Sequence, residues 1–279
     1  MKKSSGIDFT NYKRTTILRR LERRMVVTHC GSLSEYVDFL ESNEEERNTL
    51  AKEILIGVTS FFRDGNYFEK LKQNAVYPLV KNTDKNEAIR VWSAGCSTGE
   101  EAYSLAILFS EVMEETGIAR DVKIFATDVD TRAIEQAGKG VFTESILEDV
   151  SPERLSRYFT KKNEQYVVSK EIRRMIIFAP HNMLSDPPFG RLDLISCRNV
   201  MIYFQPVLQK TLIAIFHSAL KQGGYLFLGK SETAGEYGNI FQPVCSAEKI
   251  YIHNGEGKLE DISPSTFHIP NVHTISPQT

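Results

Sequence analysis

The chain has 279 residues, a formal net charge of −2, 41% hydrophobic and 25% charged residues. That length suits a sizeable core and two domains, on the soft prior of about 100 to 200 residues each, and the near-neutral charge gives no global pull toward nucleic acid. No apolar run approaches the ~18 residues of a membrane span, Met1-Lys2-Lys3-Ser4 leads into no signal-peptide core, and Cys30, Cys96, Cys197 and Cys245 form no C-x-x-C pair, so membrane insertion, a metal site and a disulfide framework are all set aside in favour of reduced thiols in a cytoplasm.

From Tyr12 to about Lys72 the apolar spacing is helical: Ile17, Leu18, Leu21 and Met25 on one face, then Leu33 to Leu40, then Leu50 to Ile56. This predicts a small helical domain over 1–75. On a wheel of 100° per residue Lys13, Arg19, Arg20, Arg23 and Arg24 fall opposite the first apolar face, with only Glu22 acidic among them. An ordinary solvated helix mixes signs to gain i, i+4 pairs, so this basic face points to an anionic partner, either nucleic acid or an acidic protein surface. The competing reading is a solvated face neutralised by the acidic 41–46 segment.

Tyr67 to Leu79 reads as a connecting helix, after which strands are expected near 88–93, 122–127, 174–178, 192–197, 224–229 and 248–252. Helices near 99–115, 131–138, 151–158 and 206–220 alternate with them, which predicts an α/β sheet of mostly parallel strands over 76–254. Thr160 to Gln165 followed by Tyr166-Val167-Val168 reads as a hairpin inserted into the connections, an insertion placed at about 160–178. From 255 to 279 Gly, Ser and Pro accumulate and periodicity is lost, which predicts a disordered tail. No patch stands out that would assign an oligomeric state.

The chemistry concentrates in Val91-Trp92-Ser93-Ala94-Gly95-Cys96-Ser97-Thr98-Gly99-Glu100-Glu101, a strand turning into a helix. Ala94, Gly95 and Gly99 let backbone approach a ligand closely. Two carboxylates in the first helical turn would repel a pyrophosphate, which prefers an unopposed helix N-terminus. They suit a ligand bearing a cation or hydroxyls, such as S-adenosylmethionine. Ser97 also stands where the dinucleotide fingerprint needs glycine. The next strand ends in Asp128-Val129-Asp130, where an acid at a strand's carboxyl end can accept hydrogen bonds from a ribose. Asp128 takes that role, and Asp130 is read as a helix N-cap. Phe61 and Phe62 are expected to pack between domains. His181 and His217 are read as isolated structural residues, without a partner at ligand spacing.

Three segments together carry a resemblance: Gly57-Val58-Thr59-Ser60-Phe61-Phe62-Arg63-Asp64, the Trp92-to-Glu101 turn, and Asp193-Leu194-Ile195-Ser196-Cys197-Arg198-Asn199-Val200-Met201-Ile202-Tyr203-Phe204. In matching order, they resemble the CheR family of chemoreceptor glutamate O-methyltransferases, over about Phe9 to Tyr251. Ile17 to Met25 and Gly57-Val58-Thr59 are especially similar to the methyltransferase portion of fused CheB–CheR chains. The resemblance implies a Rossmann-like class I methyltransferase sheet with an all-α N-terminal domain and an inserted β-hairpin subdomain. It further implies S-adenosylmethionine as cofactor, S-adenosylhomocysteine as product, and the cytoplasmic methylation region of chemoreceptors as partner, without nucleic acid. Carried over, it assigns Thr59 and Arg63 to the cofactor pocket, Glu101 to the methionine ammonium and Asp128 to the ribose. Asn182 and Met183 take the adenine edge, Arg198 and Asn199 line the same pocket, and Arg63 and Tyr203 serve the chemistry, with Tyr203 facing the transferred methyl. Lys13, Arg19, Arg20, Arg23 and Arg24 become the substrate-facing set. Gly57 stands where many members carry Asn. The hairpin turn, Thr160 to Gln165, lacks glycine and is short, so tight binding of a receptor tail peptide is not expected. A nucleic-acid methyltransferase and a non-catalytic cofactor-binding module are the alternatives.

Overall fold

A computed structural model describes residues 7–55 and 57–255, so the tail expected over 255–279 lies almost wholly outside the described residues. Three helices open the described chain, α1 (Arg14–Val27), α2 (Leu33–Ser42) and α3 (Glu44–Ile54). Ser32 and Asn43 cap the second and third by accepting the amides of Glu35 and Glu46, the side-chain acceptors that helix starts require. A connector follows, α4 (Gly65–Leu71), a π turn over Lys72–Val76, and α5 (Tyr77–Asn82).

The alternating part runs β1 (Ile89–Ala94), α6 (Glu100–Thr116), β2 (Val122–Asp128), α7 (Thr131–Lys139), β3 (Val141–Thr143), α8 (Pro152–Tyr158), β4 (Phe159–Lys162), β5 (Gln165–Val168), α9 (Lys170–Arg174), β6 (Ile176–Pro180), β7 (Leu192–Cys197), α10 (Pro206–Ala219), β8 (Leu220–Leu228), β9 (Phe241–Cys245) and β10 (Ile250–His253). The main sheet has the order β6-β2-β1-β7-β8-β10-β9. Its first five strands are parallel, while β10 runs antiparallel to β8 and β9 antiparallel to β10. β1 and β7 are buried along nearly their whole length because helices cover both faces, the reason they read as mostly apolar segments without a polar face. Alternation still sorts their side chains: Val91 and Leu194 enter the core under α6, Trp92 and Ile195 the core under α10. The expected hairpin is present as β4 and β5, joined by a third strand, β3, in a separate sheet of order β3-β5-β4, so the insertion runs from Val141 to Val168, α8 included, and not over 160–178, since β6 pairs with β2 in the main sheet. Three residues of β3 carry too little pattern to be read from sequence, and β9 carries Pro243 at the sheet's edge, which disguises it.

The first helix corrects the wheel. Arg20 and Arg24 sit on the inward side with Ile17, Leu21 and Met25, while Leu18 is 47% exposed. Arg24 lies only 20° round the helix from Ile17, since seven residues make nearly two full turns. Its guanidinium forks onto Glu46 at 2.8 and 2.6 Å and reaches Glu53 at 3.2 Å. Tyr36 donates to Glu46 at 2.7 Å from the other side. Arg24 therefore ties α1 to α3 and is not a free cation for a partner. Lys13, Arg19 and Arg23 remain exposed. The second correction concerns His217, which is not isolated: its Nδ1 lies 2.6 Å from Nε2 of buried His253. His253 donates through Nδ1 to the carbonyl of Lys221 at 2.9 Å, and burial favours its neutral form, in which Nε2 accepts the proton of His217.

Candidate active site

Outside the carboxyl ends of β1, β2 and β7 lies a cavity of about 390 Å³. Three pieces of chain close it. The sheet contributes Gly95, Ser97, Glu101 and Asp128 from the first two turns, and Arg198, Asn199, Val200 and Tyr203 from the loop after β7. The junction with the helical part contributes Gly57, Val58, Thr59, Ser60 and Arg63. The third wall, which the sequence reading missed, is the segment before α1, with Asp8, Asn11 and Tyr12. Backbone bonds from Lys13 to Tyr203 (2.9 Å) and from Gln205 to Asn11 (2.9 Å) pin that segment across the β7 loop. Tyr12 is buried between Phe9 and Phe204, and its phenol is pushed up to about 12, first by burial and then by the charge of Asp128.

Gly95 has φ +79°, and a Cβ there would stand 2.6 Å from Val200. Only glycine lets the turn run flush with the β7 loop at this point. Of the two acids that start α6, Glu101 reaches the cavity and Glu100 instead accepts from Thr98 at 2.7 Å. Glu101 accepts from Ser196 (2.7 Å) and Ser93 (3.2 Å) and faces Arg198 at 3.7 Å. Burial nevertheless pushes its pKa up, against the pull of Arg198 and the two serines. Asp128 is likewise raised by burial although each oxygen accepts a backbone amide, Ser97 at 2.8 Å and Asp130 at 3.0 Å. Carboxylates accept several donors each, so both acids keep capacity for a ligand. Asp130 caps α7, as expected, by accepting from Arg132 and Ala133, and also borders the cavity.

The structure brings Thr59, Arg63, Gly95, Glu101, Asp128, Asn182, Met183, Arg198, Asn199 and Tyr203 around this one space. Two placements differ from expectation. Ala94 is buried in the apolar core behind the wall and does not line the cavity. Arg198 borders it, yet its side chain is 1% exposed, held by Asp64 at 2.9 Å and by the carbonyl of Arg63 at 3.0 Å. Its Nε has no partner among the described residues. Arg63 is freer, with one bond to the Val58 carbonyl at 3.0 Å. A further missed residue is Glu232, a buried acid that accepts the amides of Gly229 (2.7 Å), Asn199 (3.0 Å), Val200 (2.9 Å) and Ile202 (3.3 Å). It fixes the loop from which Asn199 and Tyr203 project.

Family comparison meets this geometry directly. Residues 57–250 match the CheR methyltransferase SAM-binding domain, and residues 1–55 match the CheR methyltransferase all-alpha domain. The chain belongs to the CheR methyltransferase family. It is 35% identical over 236 residues to the chemotaxis protein methyltransferase of Escherichia coli K12, covering 82% of this chain and 79% of that one. Chemotaxis protein methyltransferase 1 of Pseudomonas aeruginosa is 34% identical over 259 residues, covering 90% and 94%. An uncharacterized 104.1 kDa protein of Rhodobacter capsulatus is 44% identical over 260 residues, 92% of this chain and 27% of that protein, so the chain spans about a quarter of that longer relative.

The cofactor of this CheR chain is S-adenosylmethionine, and the cavity fits it. Its volume lies in the range of small-molecule sites, about 300 to 1,000 Å³. Glu101 suits an ammonium, Arg63 a carboxylate, Asp128 a ribose diol, and the apolar Val129, Met183 and Leu184 a flat ring. The unpartnered Nε of Arg198 adds a buried donor at the same wall.

Proposed function

We propose that this chain methylates glutamate side chains in the cytoplasmic methylation region of chemoreceptors, as a protein-glutamate O-methyltransferase acting in the cytoplasm. The observation that carries the reading is the meeting of Glu101, Arg63 and Tyr203 at one cavity, with Arg63 arriving from the helical side and the other two from the sheet. S-adenosylmethionine, when bound, supplies a methyl group on a positively charged sulfur.

The rest falls to the protein and needs no catalytic base. A glutamate acceptor with a pKa near 4.3 is only roughly 0.2% protonated at pH 7, so the nucleophile is already formed. Held by Glu101 and Asp128, the cofactor would offer its methyl to one carboxylate oxygen, with S-adenosylhomocysteine as the leaving group. Opposite charges cancel along this path, so a strong permanent ion pair with the acceptor would favour the ground state. Arg63 accordingly orients, and Tyr203, at the same cavity, would border the transferred methyl. In-line positioning can be worth about 7 to 11 kcal/mol.

Exposed Lys13, Arg19 and Arg23 form the reduced cationic face toward an acidic receptor helix. With Arg20 and Arg24 turned inward, the basic face that left nucleic acid open is smaller than the wheel implied. The hairpin turn is only Asn163-Glu164 between β4 and β5, which supports the expectation of no tight tail-peptide binding. Incubation with methyl-labelled cofactor and receptor-containing membranes tests the function: base-labile labelled methanol from the receptor band is expected. Label released from RNA, or cofactor binding without transfer, would replace the reading.

A further inference from the structure

Phe61 and Phe62, which immediately precede Arg63, are gripped by the inserted subdomain. Phe142 of β3 meets the ring of Phe61 edge-on at 4.8 Å, and Phe159 of β4 does so at 5.4 Å. The carboxylate of Asp149, in the connection to α8, is drawn toward its ionised form by the backbone amide of Phe61. Arg154 of α8 lies 3.9 Å over the ring of Phe62 while Glu111 of α6 holds its guanidinium by two bonds, 2.7 and 3.0 Å. On its far side the amide of Phe62 donates to Ser104 at 3.0 Å. Phe62 has φ +48°, a left-handed conformation that a bulky side chain rarely adopts. Such backbone persists only where its surroundings over-determine it.

We propose that the insertion is the seat that fixes the Thr59–Arg63 segment, and that Arg154 is a positioning residue for Arg63, acting through the ring of Phe62. Four side chains from separate parts of the insertion converge on two residues, and both neighbours of that pair in the chain, Ser60 and Arg63, line the cavity. The subdomain thereby reaches the reaction space without touching it. This inference rests on the reading of Arg63 as a pocket residue.

Hydrogen exchange of the Phe61 and Phe62 amides in the free protein tests it, alongside calorimetric binding of S-adenosylhomocysteine. Arg154→Lys keeps a cation for Glu111 and removes the flat group from Phe62, so it separates stacking from pairing. Arg154→Met removes both, and Arg157→Ala, on the same helix with an exposed pair to Glu114, is the control. In Arg154→Lys, exchange at the two amides is expected to quicken by about two- to thirtyfold, the span of a cation–π contact, with core strands unchanged and the dissociation constant raised. The larger change belongs to Arg154→Met, and Arg157→Ala stays at parent values. Parent-like exchange in both Arg154 variants overturns the proposal, as does quickening spread evenly over the whole chain. The exchange readout needs no cofactor, so failure of the functional reading would appear separately, as absent binding by the parent protein.

Discussion

Replacing Glu101 by Gln removes one charge from the cavity while keeping the side chain's shape, and it moves binding and stability in opposite senses. In the free protein the carboxylate is shielded from water, with 13% side-chain exposure, and burial outweighs the help of Arg198 and two serines, leaving its pKa raised. The substitution relieves that burial cost, and Arg198 keeps Asp64 at 2.9 Å, so the melting temperature of the free chain holds or rises. With Glu101 assigned to the cofactor's ammonium, as we propose, binding should lose a charge-assisted bond worth about 1.5 to 3 kcal/mol, which is roughly a 10- to 160-fold weaker dissociation constant. Calorimetric titration with S-adenosylhomocysteine and thermal unfolding of the free chain read the two effects. Unchanged affinity would refute the ammonium assignment, and a parallel fall in melting temperature would make Glu101 a structural acid.

The same group sets a pH dependence whose sign is fixed. A carboxylate with a folded pKa above its unfolded value, about 4.3, contributes stability that is full below that value and is lost as pH rises through the folded one. A cationic ligand demands the ionised form. Affinity is therefore greatest above the raised pKa and weakens as pH falls through it, with Asp128 adding to the slope because burial raises it too. Titrations of parent and Glu101→Gln across this window should give a shallower slope for the variant.

Arg63→Ala, which severs only the bond to Val58, should leave stability within about 0.5 kcal/mol yet lower kcat by roughly 100-fold or more, and a near-normal methyl-transfer rate would end its orienting role. Tyr203→Phe should cost less, and unchanged kinetics would make it a structural tyrosine. Arg24→Met strands the buried Glu46 with Tyr36 alone and should cost about 3 to 5 kcal/mol in denaturant unfolding, whereas exposed Arg19→Ala should stay within about 0.5 kcal/mol. His253 is depressed by burial, so its contribution to stability is present above the unfolded value of about 6.5 and lost as pH falls through the lower folded value; His253→Leu should flatten that part of the melting profile.

Much of the fold was legible because its information is local. Strands β1, β2 and β7 are short, mostly apolar segments that give way to Gly95, Asp128 or Arg198, and the first turn announces close backbone approach through Gly95, whose φ is +79°. The acids Glu101 and Asp128 stand at strand ends where a parallel sheet puts ligands. What was misread depends on partners far away in sequence. Arg24 looked like a surface cation because Glu46 and Glu53, which draw it inward, lie 22 and 29 residues on. His217 looked isolated because His253 is 36 residues away.

Glu232 shows how such a residue could be found. The loop after β7 leaves the sheet at Arg198 and turns through Asn199 and Val200 into the start of a single 3-10 turn, Met201–Tyr203, where amides have no intrahelical acceptor, and Asn199 has φ +58°. Its amides therefore have neither a strand nor a helix to accept them. Because a buried amide without an acceptor costs about 1 to 3 kcal/mol, a loop lining a cavity in this way requires an acceptor brought from elsewhere. The acceptor must serve several donors at once, which favours a carboxylate, and it must approach from the neighbouring parallel strand. β8 is that neighbour, and Glu232 is the first acid beyond its end, four residues past Leu228. Counting unpartnered amides in the loop, then looking along the adjacent strand for an acid, recovers from topology what spacing along the chain conceals.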